Sequence, residues 1–175
     1  GDEESPRYKL MVKANTTLRQ LEDEVTAIYT AVAQVYGAKF PELEGLVPSA
    51  AAYLAVVERV QNETDMTLCN LLEILPPSQA MVVTVASSAT MGRDLAPAEL
   101  RTCLDGCAEA KLLAADRRAL LGFVEACMQL SAPGLCALVG APLAAQLVGL
   151  AGGLEALSRI PACNVQVMGH ARHSK

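Results

Sequence analysis

Residues 131–154 read SAPGLCALVGAPLAAQLVGLAGGL, a stretch without a single charged side chain. A run of about 18 or more uncharged, mostly apolar residues meets the length criterion for a bilayer-spanning helix. The stretch therefore decides between a membrane protein and a closely packed helical core. Pro133, Pro142, Gln146, Gly134, Gly140, Gly149, Gly152 and Gly153 interrupt it. In lipid each interruption would leave backbone groups unpaired. In a water-surrounded core, short helices turn or cross closely at such residues. The expectation is several short helices packed backbone to backbone, and no membrane span.

The composition agrees. Of 175 residues, 52% are hydrophobic and only 3% aromatic, with no Trp, so the core must be built from small aliphatic helices. Residues 1–77 carry 6 Lys/Arg against 12 Asp/Glu, and residues 78–175 carry 8 against 7, giving the chain its net charge of −5. An acidic total argues against a protein that grips bare nucleic acid through charge alone. The nearly neutral second half leaves room for local contacts to a composite surface.

Upstream, Met11, Ala14, Leu18, Leu21, Val25, Ile28, Val32 and Val35 alternate three and four apart. That heptad seam predicts a long helix paired along its length. Ser5-Pro6 offers its start and Gly37 its stop. A turn around Phe40-Pro41 and Pro48 precedes a second helix over 49–61, so an antiparallel helical hairpin is expected. A third helical piece follows over 65–75. The run QAMVVTVASSATM (79–91) has strand-like β-branched content. No other segment offers it a strand partner, and a buried helix is the expectation. Pro97 opens a long helical region reaching Ser131, with Asp116 placed to re-cap it midway. The fold class is all-α, divided into a coiled-coil hairpin region over 6–76 and a compact helical domain over 77–175.

Catalytic constellations are thin. GxSxG, GxxxxGK[ST] and HExxH are absent, and His170 and His173 sit together near the end of the chain. Cys69, Cys103, Cys107, Cys127, Cys136 and Cys163 form no CxxC, so they read as small buried hydrophobes in a reducing compartment. No metal, no cofactor and no enzyme activity is expected. Gly149-Leu150-Ala151-Gly152-Gly153 lacks the lysine of a phosphate loop and reads as a packing turn. Residues 1–9 are polar, without the pattern of a signal peptide. The chain ends after HARHSK, as expected of a portion of something longer. Basic residues of the second half are few but grouped: Arg93, then Arg117 and Arg118, then Arg159, His170 and Arg172. Hydroxyls, backbone amides and arginines of this kind hold phosphate oxygens and stack on unpaired bases.

VYGAKFPELE (35–44) resembles the helix-turn that ends the coiled coil of Nop-domain proteins. MVVTVAS (81–87) resembles the Nop signature, as do Gly140-Ala141, Ala144-Ala145, AGGL (151–154), Leu157-Ser158-Arg159 and Pro161-Ala162. PACN (161–164) with VMG (167–169) is most similar to the spliceosomal member of that family rather than to its box C/D members. The resemblance implies a wholly helical, nuclear, non-catalytic scaffold, monomeric by itself. It implies docking on a kink-turn RNA already held by a small kink-turn-binding protein. For the spliceosomal member that RNA is the 5′ stem-loop of U4 snRNA, and binding joins U4 to U5 snRNP proteins in the U4/U6.U5 tri-snRNP. By the same resemblance Ser87, Ala89, Thr90 and Arg93 match a loop near the RNA. Arg117 and Arg118 stand where spliceosomal members show Lys-His facing the RNA loop. Gly140, Ala141, Ala144, Ala145 and Gly153 match the small-residue signature at helix crossings and the protein-partner face. Gln146 replaces a usual Lys, and His170 a usual Ala before Arg172. A box C/D small nucleolar RNP core protein is the alternative within the family. A coiled-coil interaction protein without RNA binding is the alternative outside it.

Overall fold

The structure, a computed structural model, describes residues 6–166 and Met168. Among them there is no strand. The order is α1 (Pro6–Tyr36), α2 (Leu43–Leu46), α3 (Ala50–Val60), two 3₁₀ turns (Met66–Cys69 and Leu71–Glu73), α4 (Pro77–Ala89), α5 (Pro97–Ser131), α6 (Pro133–Val139), α7 (Ala141–Ala151), α8 (Leu154–Ser158) and α9 (Ala162–Val165). The all-α reading and the long first helix hold. Two compact units share these elements: residues 22–114, and the residues up to Leu21 together with those from Ala115 onward. Both α1 and α5 contribute to each unit.

In the 22–114 unit the core gathers Val32, Tyr36, Phe40, Leu43, Val57, Val83 and Cys103, all nearly or wholly buried. α3 lies against the last third of α1 through aromatic edges. The Tyr53 ring meets Tyr29 at 5.2 Å and Tyr36 at 6.4 Å between centroids, both near perpendicular, the favoured arrangement of ring quadrupoles. The heptad seam also faces α5. A methyl on Gly106 would lie 2.8 Å from a Val32 methyl carbon and 3.5 Å from one of Ile28, so the two helices approach closely there.

Tyr36 and Tyr53 are fully buried, and desolvation pushes both phenols well above their ordinary value of 10.0. The folded chain therefore holds these protons more tightly than the unfolded one. The stability this lends is intact below about pH 10 and is lost as the pH rises. Tyrosinate absorbance from these two rings is expected to appear only together with loss of helical circular dichroism. Ionisation of all the tyrosines before any unfolding would contradict the burial.

In the other unit Ala14 and Leu18 of α1 share a core with Val124, Met128, Ala144, Ala145 and Val148. The uncharged stretch is broken where its residues foretold. α5 and α6 meet at 119°, with Pro133 opening the new helix. Gly140, at φ +81, leads into α7, and Gly152, at φ +83, ends it in the left-handed region that suits glycine. Gly149 lies under Asn15, whose amide nitrogen would be 3.0 Å from an added methyl and which donates to the Ala145 carbonyl at 3.3 Å. The glycines at 149–153 thus pack and turn. Among the described residues no single helix is long and apolar enough to cross a membrane.

Four local expectations need correction. The piece over 65–75 is helical as expected, but as two 3₁₀ turns rather than one continuous helix, because Asn70 adopts φ +46 between them. α5 runs unbroken through Asp116, without a second cap. Cys163 is exposed, and Cys127 only half-buried. α4 is a helix as expected, yet only its Ala80, Val83 and Ser87 face is buried; Met81, Val82 and Val85 are exposed.

Candidate nucleic-acid interface

The connection from α4 to α5 is held against the end of α1 by backbone contact. Arg93 N–H donates to the Ala38 carbonyl at 2.8 Å. At Gly92 an added methyl would fall 1.8 Å from the Lys39 carbonyl oxygen, so only glycine fits. Lys39 is itself buried. Its ammonium donates to Asp94 at 2.5 Å and to the Asn62 carbonyl at 3.2 Å. Asn62 closes the other side, donating to the Leu95 carbonyl and accepting from Leu95 N–H, both at 2.9 Å. A buried ammonium is stable only with such partners.

Within this frame the expected loop residues take distinct positions. Ser87 is buried, its hydroxyl donating to the Thr84 carbonyl at 2.7 Å. Ala89 is exposed at the helix end. Thr90 donates to Glu42 at 2.9 Å. Arg93 makes a two-pronged pair with Glu99 at 2.8 and 2.7 Å and also donates to the Asp94 carbonyl at 3.0 Å. Glu99 reaches back in turn to Ala96 N–H at 2.8 Å, the return half of a capping box at the start of α5. Hydrogen bonding from Arg93 holds the Glu99 carboxyl down at about 2. The pair's contribution is present above the ordinary carboxylate range and is lost only as the pH falls through about 2. Glu99→Gln is expected to release the guanidinium. Phosphate binding through Arg93 should then tighten severalfold in filter binding with single-stranded RNA; weaker binding would show that Glu99 positions Arg93 rather than occupying it.

Arg117, Arg118, Arg159, Gly140, Ala141, Ala144, Ala145 and Gly153 belong to the other unit. Arg117 is half-buried on α5. Arg118 is exposed and has no ion-pair partner among the described residues. Arg159 pairs with Glu155 one helical turn earlier. Ala141, Ala144, Ala145 and Gly153 are buried, while Gly140 is exposed. His170 and Arg172 lie outside the described residues. Among those described, no three His, Cys, Asp or Glu side chains come together as a metal site.

Folding also sorts charge in a way that halving the sequence concealed. The 22–114 unit carries 13 acidic against 5 basic residues, and the described residues of the other unit 3 against 7. The excess of basic residues therefore belongs to the unit that holds Arg117, Arg118 and Arg159. The Lys39–Asp94 pair and the Asn62 clasp gave no advance signal, since each joins residues far apart in sequence. Gly92 was visible only as a glycine in a loop.

Comparison with known proteins supplies the family. The model described as Nop, snoRNA binding domain, fibrillarin, matches residues 17–175. The chain is 42% identical over 170 residues to a U4/U6 small nuclear ribonucleoprotein Prp31 homolog of Arabidopsis thaliana, covering 97% of this chain and 35% of that protein. It is 37% identical over 172 residues to U4/U6 small nuclear ribonucleoprotein Prp31 of Homo sapiens, covering 97% and 34%. Nucleolar protein 58 of Aspergillus fumigatus is 31% identical over 160 residues, covering 91% and 27%. The chain spans about a third of the length of these curated relatives. With signature residues, helical order and a family match over nearly its whole length in agreement, the chain belongs to the Nop-domain family.

Proposed function

We propose that this chain is the RNA- and protein-recognising portion of a U4/U6 snRNP splicing factor, the counterpart of pre-mRNA-processing factor 31. The observation that carries this reading is colinear similarity to Prp31 proteins over 97% of the chain, at identities of 42% and 37%. The coiled-coil region over 6–76 and the Nop domain over 77–175 form a non-catalytic nuclear scaffold. It binds the U4 snRNA 5′ stem-loop together with a small kink-turn-binding protein and promotes tri-snRNP assembly with U5 snRNP proteins. The weak net charge suits this role. A kink-turn folded by another protein presents shape and a few phosphates, so local contacts suffice.

Ser87, Ala89, Thr90 and Arg93 are assigned to an RNA-contacting loop. Arg117, Arg118, Arg159, His170 and Arg172 are assigned to RNA, and the small residues Gly140, Ala141, Ala144, Ala145 and Gly153 to helix packing and the protein-partner face. Arg118 replaces ring stacking by guanidinium stacking or phosphate pairing. Replacing Arg117 and Arg118 together by alanine is expected to weaken the RNA–protein complex about tenfold or more while leaving helical content intact. Unchanged mobility-shift affinity would remove both residues from the RNA surface.

A box C/D small nucleolar role is the second reading, supported by the family's snoRNA-binding description and the nucleolar relative. Affinity purification of the full-length protein separates the two. U4 and U5 components are expected; fibrillarin in their place would establish the nucleolar role.

A further inference from the structure

An uncharged helix with apolar residues on all sides is ordinarily buried, and α4 is not. Met81, Val82 and Val85 are 70%, 50% and 65% exposed, on a helix without one charged residue. Beside them the two 3₁₀ turns leave Leu72 65% exposed. Between α4 and these turns runs a groove of about 430 Å³, floored by Met66, Leu71 and Ala80 and edged by Leu72, Met81 and Val85.

The groove's chemistry narrows its occupant. Base stacking and proline-rich peptides need aromatic or arginine surfaces, and the lining contains neither. An added strand needs a sheet edge, and none exists among the described residues. Aliphatic and methionine anchors in a trough beside a helix suit the apolar face of another helix.

The surroundings are acidic. Asp65 accepts at 2.9 Å from the N–H of Thr67, which lines the groove, and just before that turn Glu63 accepts from Thr64 and Asp65 N–H at 2.9 and 3.0 Å. Neither has a cationic partner among the described residues. Glu73 does, in Arg59 at 3.1 Å. The unit as a whole carries 13 acidic against 5 basic residues. The groove lining offers no Lys or Arg to hold phosphate, and an acidic surround repels a second copy of the same acidic unit and attracts cations.

We infer that the groove between α4 and the 66–73 turns receives a basic amphipathic helix of a protein partner, its apolar face on Met81, Val85 and Leu72. This interface is separate from the RNA-binding reading and does not depend on it.

Val85→Glu and Met81→Glu change exposed side chains, so helical content and thermal midpoint should stay those of the parent chain. The probe is a display library of random helical peptides of about 16 residues, roughly four turns, selected on the intact chain. Ligands with apolar residues three and four apart and an excess of Lys and Arg are expected. Either substitution should weaken them about tenfold, and raised salt should slow their association. Selected ligands that are acidic, ligands indifferent to both substitutions, or no ligands at all would overturn the inference. A dimer in light scattering that Val85→Glu dissolves would assign the groove to a second copy instead. RNA affinity lost in Val85→Glu would assign it to RNA.

Discussion

Replacing Gly92 by alanine is expected to cost about 3 kcal/mol, at the upper end for overpacking a site that cannot relax. The added methyl would stand 1.8 Å from the Lys39 carbonyl oxygen, 2.4 Å from its carbon and 3.0 Å from the Ala38 oxygen. All three are backbone atoms, so no rotamer change relieves the clash. The loop must instead move away, which breaks the 2.8 Å bond from Arg93 N–H to the Ala38 carbonyl. Asp94 moves with it, and the buried Lys39 ammonium loses its carboxylate. Gly122, exposed on α5 with nothing within 4 Å of an added methyl, is the control. Its replacement by alanine should stabilise the helix by about 0.5–1 kcal/mol. Urea unfolding of both variants measures the contrast. A Gly92→Ala midpoint within error of the parent would show that the loop is not seated on α1.

Tyr36→Ala is expected to be larger still, about 4 kcal/mol. Tyr36 is completely buried, its ring edge-on to Tyr53, and its hydroxyl donates to the Gln61 carbonyl at 2.9 Å. Gln61 ends α3 at φ +52, an unfavourable backbone for a residue with a side chain. The phenol therefore fastens the exit of α3 as well as filling the core. Tyr36→Phe separates the two roles: it keeps the ring and leaves one carbonyl without its donor, a loss of about 1 kcal/mol. Equal losses in the two variants would place the whole effect in the hydrogen bond.

Periodicity carried the fold a long way. The three-and-four spacing from Met11 to Val35 marked α1, and Pro97 marked the start of α5. The breakers in 131–154 marked α6, α7 and α8 almost residue by residue, because proline and glycine act locally. What failed was set by partners remote in sequence. The 66–73 turns depend on Asn70 taking a left-handed backbone. The half-exposed α4 violates the rule that uncharged apolar helices are buried. The seating of the 87–93 loop rests on Lys39, Asn62 and Gly92, which no local pattern connects. Of the proposed interface, the basic residues were legible as a scatter of arginines. That Arg117, Arg118 and Arg159 fall in the unit with the excess of basic residues follows from α1 and α5 each serving two cores. Arg93, bound to Glu99, is a weaker candidate for bare phosphate than Arg118.

Recognition of RNA and protein as one surface is tested directly by a mobility shift of this chain with the U4 5′ stem-loop, with and without the small kink-turn-binding protein. A further shift is expected only when RNA and small protein are both present. Equal binding to bare RNA, or no binding to the preformed RNA–protein complex, would contradict it.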